Sequence, residues 1–380
     1  MKQTSIIRGE FDASKLKFLR ELNGDTLKEV GKGIGKTDSF VSQMEHEIIK
    51  PNFEVIQKLS NFFKVNHVFF LNNSKIPQTT SAVFYRKQAA VPKRNWLQVE
   101  KKNQLFAFFE KKISKKLELS HFSLPNYAVK QENFKFIEFE KIDEITSSIR
   151  KQFKLGNGPI SNMTLLAEKL GIRVNFSDIS AENIDAATSK IDKSYYIIIN
   201  NNRTSSVRIR YNLAHEMGHI YLHSLYSDKI LGNSSYHKRI EAEANYFASS
   251  LLMPMNGLAI DMARTNMKFL MDLKKHWKVS IQALIYRGHD IGIITDQQAL
   301  FLRQTIAREG WRKKEPFDDI IEIEYPSFIK SAIIYSKINS KEMIERFSDD
   351  SGFSEDDILK ILGFDLFVQK ETKIPKLKLL

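Results

Sequence analysis

The sequence predicts a mainly α chain with one small β-sheet, an α+β architecture of more than one domain. Length is the first observation: 380 residues is two to three times a usual single domain. Apolar residues recur at helical spacing through the first 75 residues and again from residue 93, the signature of amphipathic helices. The clearest strand patterns are short runs at residues 171–176 and 195–200, too few for more than a small sheet.

Composition narrows the function classes. With 42% hydrophobic and 27% charged residues, 16 Gly and 9 Pro, the chain excludes collagen-like, low-complexity and wholly disordered readings. No run approaches the roughly 20 apolar residues that span a bilayer. Residues 1–8 lack the apolar core of a signal peptide. Cysteine is absent, which excludes disulfides and thiolate metal sites, so any metal must be held by His and carboxylates. The expected compartment is the cytoplasm, with no membrane partner. A formal charge of +13 favours polyanions, above all nucleic acid. The excess is concentrated in residues 81–118, with 10 basic against 3 acidic side chains.

Residues 1–75 read as short helices, marked by Leu16, Phe18, Leu19 and Leu22, then Val30, then Val41 and Met44, then Val55, Ile56 and Leu59. Residues 76–134 read as a basic helical linker. Its helix, from residue 93 to 117, has Val99, Phe106, Phe109 and Ile113 on one side and lysine pairs on the other. Residues 135–265 form the mixed region: helices at 142–153 and 163–170, the two strands, then helices at 205–224 and 237–252 stopped by Pro254. Residues 266–320 read as a helical extension with a helix-turn-helix pattern, and 321–380 as a helical C-terminal region. Residues 320–325 are expected to form a short strand.

Chemistry concentrates in His215-Glu216-Met217-Gly218-His219. Four helical residues turn the chain by about 400° and advance it about 6 Å, so both imidazoles lie on one face and can share an ion. Glu216, beside the first imidazole, is placed to take a proton from a metal-bound water. A third ligand is needed. His223 lies one turn further on, but three consecutive i, i+4 histidines rarely converge on one tetrahedral ion. Glu241 on the next helix is the favoured candidate, with Asn245 behind it as a hydrogen-bond partner. Its rival Glu243 is rotated about 200° away and is expected to face solvent.

The segment Arg208–His223, with Glu241-Ala242-Glu243-Ala244-Asn245 and Leu251-Leu252-Met253-Pro254, resembles the ImmA/IrrE family of metallo-endopeptidases over roughly residues 135–320. The resemblance implies a zincin-like fold, Zn2+ as cofactor, Glu241 as third ligand, Glu216 as catalytic base and a cytosolic repressor as protein substrate. It leaves the oxyanion donor open among His223, Tyr211, Tyr246 and Arg210.

A second constellation runs from Thr26 to Glu45. Thr26 and Thr37 are suited to cap two helices, and Gly35 to turn between them. This segment resembles the Xre/Cro-type helix-turn-helix over residues 10–70, which implies a five-helix domain binding double-stranded operator DNA. Asp38, Ser39, Phe40 and Gln43 then face base edges, and Lys28, Lys36 and Lys50 the phosphates. Gly31 and Gly33 depart from the pattern, each weakening its helix by roughly 1 kcal/mol. Such heads commonly dimerise on palindromes, so a homodimer is an expected state. The combined expectation is a transcriptional regulator joining DNA binding to zinc-dependent proteolysis. The alternative is a non-proteolytic repressor or antitoxin whose metal domain senses or binds a partner.

Overall fold

A computed structural model of the chain describes residues 9–81, 92–117, 134–179, 184–202, 205–335 and 339–363. The first helices start where the sequence supplies a cap. Asp12, Thr26, Thr37 and Asn52 accept from backbone N–H groups at the starts of α1 (Ala13–Asn23), α2 (Leu27–Ile34), α3 (Asp38–Glu45) and α4 (Phe53–Phe63), satisfying donors the helix cannot. At Thr26 the cap is reciprocal, since its own N–H donates to Glu29 at 2.7 Å. α5 (Val68–Leu71) follows. Leu16, Leu19, Val30, Ile34, Val41, Met44 and Leu59 are all buried, so the apolar spacing of the sequence is the packing of the domain. Arg20 ties α1 to the end of α3 through a two-pronged pair with Glu45, at 2.6 and 2.8 Å.

Gly31 has a physical reason. A Cβ there would lie 2.8 Å from the Lys36 carbonyl oxygen, so the glycine lets the turn between α2 and α3 close against the first helix. Its helix-propensity cost is offset by that approach.

Next come β1 (Thr79–Ser81) and α6 (Lys93–Leu117). Residues 103–110 of α6 are buried without a break, including Asn103, Gln104 and Glu110. The two-sided pattern expected of this helix therefore holds only at its ends. Ser114 donates its hydroxyl to Glu110, and Gln104 reaches Thr79 at 2.9 Å, which is how polar groups are accommodated inside.

α7 (Phe139–Gln152) and α8 (Met163–Lys169) lead into β2 (Arg173–Ser177), β3 (Ala186–Ile191) and β4 (Ser194–Asn200). The sheet order is β1-β3-β4-β2, with β2 parallel and β3 antiparallel to β4. β4 is buried along its whole length, as a run of Tyr and Ile without polar alternation requires. α9 (Ser206–His223), α10 (Asp228–Leu231), α11 (Ser234–Leu252), α12 (Met255–Asp261), α13 (Met267–Trp277), α14 (Ile281–Asp290) and α15 (Asp296–Arg308) complete this part. α9 packs on the sheet and on α11, and α11 lies between α9 and α7.

Residues 320–325 are irregular backbone rather than the expected strand. Their alternation serves a side chain instead: Glu324 is buried and accepts from Arg210 and from the Met163 N–H.

α16 (Phe328–Tyr335), α17 (Ser340–Ser351) and α18 (Glu355–Ile361) return to the early helices. Gly352 accepts from the Asn66 N–H at 2.7 Å, and Phe353 packs edge-on against Phe69 and Phe109, at 5.3 and 5.9 Å. The described residues form two units. One comprises those through Thr79, those at 92–117 and those from Ser327 on; the other comprises the remaining described residues from Thr80 to Pro326. Among the described residues no helix is long and apolar enough to cross a membrane.

Candidate metal centre

The helical repeat of α9 brings His215 and His219 together with their Nε2 atoms 3.1 Å apart. Glu241, from α11, places Oε2 3.5 Å from His215 Nε2 and Oε1 3.5 Å from His219 Nε2. Bonds of about 2.0–2.1 Å to a tetrahedral ion separate its ligand atoms by about 3.3 Å, so the spacing fits a single metal ion. α11 can come this close because Gly218 faces it. A Cβ at Gly218 would lie 3.1 Å from the Ala244 Cα and carbonyl oxygen and from the Phe247 Cβ. Gly218→Val is therefore expected to spread the helix pair and lower metal affinity by at least about tenfold. Zinc titration of the variant beside wild type checks this.

Hydrogen bonds on the far side of each ring fix the tautomers. His215 Nδ1 donates to Asn245 Oδ1 at 2.9 Å. His223 Nε2 donates to Glu243 Oε2 at 3.0 Å, which leaves its Nδ1 to accept from His219 Nδ1 at 3.1 Å. Both Nε2 atoms thus turn lone pairs inward. Burial holds the His219 pKa down to about 3, so the ring is neutral at physiological pH. Two lone-pair nitrogens and one ionised carboxylate converging on a point form a donor set for a divalent cation.

The comparisons with known proteins agree with this geometry. The Peptidase M78 family model, described as the IrrE N-terminal-like domain, matches residues 167–289. A helix-turn-helix family model matches residues 16–70. The chain carries an IrrE N-terminal-like domain behind a helix-turn-helix domain. No curated protein matches the chain.

Within the IrrE N-terminal-like domain, Glu243 corrects the reading from helical rotation. It is fully buried and accepts from His223, from Arg239 Nε at 2.8 Å and from the Ile137 N–H at 3.0 Å. Rotation predicted solvent because it assumed one buried face; α11 has two, against α9 and α7. A chain of contacts therefore runs from His219 through His223 and Glu243 to Arg239.

Thr188, which sequence reasoning missed, donates its hydroxyl to Glu216 Oε2 at 2.6 Å. It sits on β3, whose hairpin turn is Asp192-Lys193, with Asp192 at φ 53°. Hairpin turns of this length usually contain Gly, and its lack hid the strand. Other predicted residues have structural attachments. The Tyr211 hydroxyl donates to the Asn245 carbonyl at 3.3 Å and the Tyr246 hydroxyl to Asp143 at 2.7 Å. Arg210 is buried, donating to Glu324, to the Lys278 carbonyl and to the Ile160 carbonyl.

In the helix-turn-helix domain, Lys28, Lys36, Asp38, Ser39 and Lys50 are exposed, and Phe40 and Gln43 are half-buried. Lys36 Nζ lies 5.3 Å from the Phe40 ring centroid. Asp38 occupies the first turn of α3, where a negative charge is favoured by the helix dipole whatever it meets outside. The helix-turn-helix domain implies DNA binding.

Proposed function

We propose that this chain is a DNA-binding regulator whose IrrE N-terminal-like domain is a zinc-dependent endopeptidase acting on a protein partner, most simply a repressor. The observation that carries the reading is the convergence of His215 and His219, which bracket Glu216 on α9, with Glu241 from α11. These three residues would hold zinc, which when bound would supply a water of lowered pKa and polarise a scissile carbonyl. The chain's own residues do the rest. Glu216 is the proton acceptor, and the Thr188 hydroxyl fixes the rotation of its carboxylate. Asn245 and His223 hold the two imidazoles in ligand tautomers. The capped helix pair α2–α3 and the turn after it bring the domain to DNA through Lys28, Lys36 and Lys50, with Ser39 and Gln43 toward the bases.

The test is cleavage of candidate repressors by zinc-loaded protein. Glu216→Gln keeps side-chain volume and all three metal ligands, so its zinc content is expected to match wild type while cleavage falls about 10²–10⁴-fold. Equal cleavage by wild type and variant removes the proteolytic reading and leaves a DNA-binding protein with a metal-binding or partner-binding domain.

A further inference from the structure

His237 lies one helical turn before Glu241 on α11. Its Nε2 is 4.0 Å from Glu241 Oε1. The side chain is 39% exposed, yet Nε2 itself is shut off from solvent and has no hydrogen-bond partner. A ring nitrogen buried in this way is costly unless hydrogen-bonded, and in the Nε2–H tautomer the nearby carboxylate oxygen is the acceptor it needs.

We propose that His237 is a positioning residue, whose Nε2–H steadies Glu241 as a metal ligand. This rests on the metal reading above. A role as fourth ligand fits less well. His215, His219 and Glu241 form a group in which all ligand atoms lie within 4.8 Å of one another, and His237 is outside it. A fourth protein ligand would also fill the position a catalytic site keeps for water. At 4.0 Å the contact is longer than a formed hydrogen bond by about 1 Å, a distance that a small side-chain rotation covers. The i, i+4 spacing on one helix makes that closure local. A donor behind a ligating carboxylate fixes its orientation, and loss of such a partner typically lowers metal affinity 10–100-fold.

The experiment is zinc affinity of the full chain, measured by competition with a chelating dye, for wild type, His237→Ala and His237→Gln. His237→Ala is expected to bind zinc about 10–100-fold more weakly, and His237→Gln, which retains an N–H donor, to recover most of that loss. The unfolding midpoints of the zinc-free proteins are expected to coincide, because a purely structural role would lower the midpoint without singling out the metal. Zinc binding by His237→Ala equal to wild type overturns this inference alone. A wild type that binds no zinc overturns the metal reading and this inference with it.

Discussion

Arg210→Met is expected to destabilise the unit that holds the metal centre by about 3–5 kcal/mol, the range for breaking one side of a buried ion pair. Arg210 is 1% exposed and joins four separate segments. Its Nη1 meets Glu324, its Nε the Lys278 carbonyl at 3.1 Å, and its Nη2 the Ile160 carbonyl at 2.8 Å. Burial lowers the Arg210 pKa, and the facing Glu324 opposes that shift, so the charge depends on its partner. Methionine fills much of the volume but leaves the buried Glu324 carboxylate with only the Met163 N–H and the more distant Lys278 Nζ, at 3.9 Å, and takes a donor from two carbonyls. The pair Arg210→Met with Glu324→Leu is expected to recover part of the loss, because an apolar pair of similar volume removes the unpaired charge. Recovery is incomplete, since the Met163 N–H also loses Glu324, its acceptor at 2.6 Å. Denaturant unfolding of the four proteins measures both the loss and the coupling. A single-variant loss under about 1 kcal/mol would show that Arg210 is not the clamp its contacts imply.

What the sequence made legible were the features that a few neighbouring residues settle by themselves. Helix starts follow from Thr26, Thr37 and Asn52, each a cap acting within three residues. The grouping of His215 with His219 follows from one helical turn, and the addition of Glu241 needed only a second helix packed on the first. What stayed hidden depends on which elements become neighbours. The periodicity of α6 does not reveal that residues 103–110 are enclosed on every side. Nothing in residues 340–361 announces that Gly352 and Phe353 will pack against Asn66, Phe69 and Phe109. Thr188 reads as one more small polar residue until β3 pairs with β4 and delivers it to Glu216. Residues 320–325 show the converse error: their alternation resembles a strand, but among the described residues no strand pairs with them.

Glu243 offers the second large effect, and it separates architecture from ligation. Glu243→Ala is expected to cost about 2–4 kcal/mol of stability in the metal-free protein, because it strands the His223 ring, the Ile137 N–H and one face of Arg239. Arg239 keeps the Ile137 carbonyl at 2.7 Å and its positions 5.1 and 4.8 Å from the Phe136 and Phe139 rings, which limits the damage there. The same variant is expected to weaken zinc binding about 10–100-fold, since His223 would no longer be held in the tautomer that accepts from His219. Glu241→Ala should behave oppositely: it removes one of the three proposed ligands, so zinc binding is expected to fall further, but Glu241 is 17% exposed and its loss leaves the metal-free fold close to wild type. Unfolding of the zinc-free proteins and zinc affinity, measured side by side, distinguish the two carboxylates. If Glu243→Ala left metal-free stability intact while abolishing zinc binding, Glu243 would have to be a ligand itself, and the path from His219 through His223 would need to be redrawn.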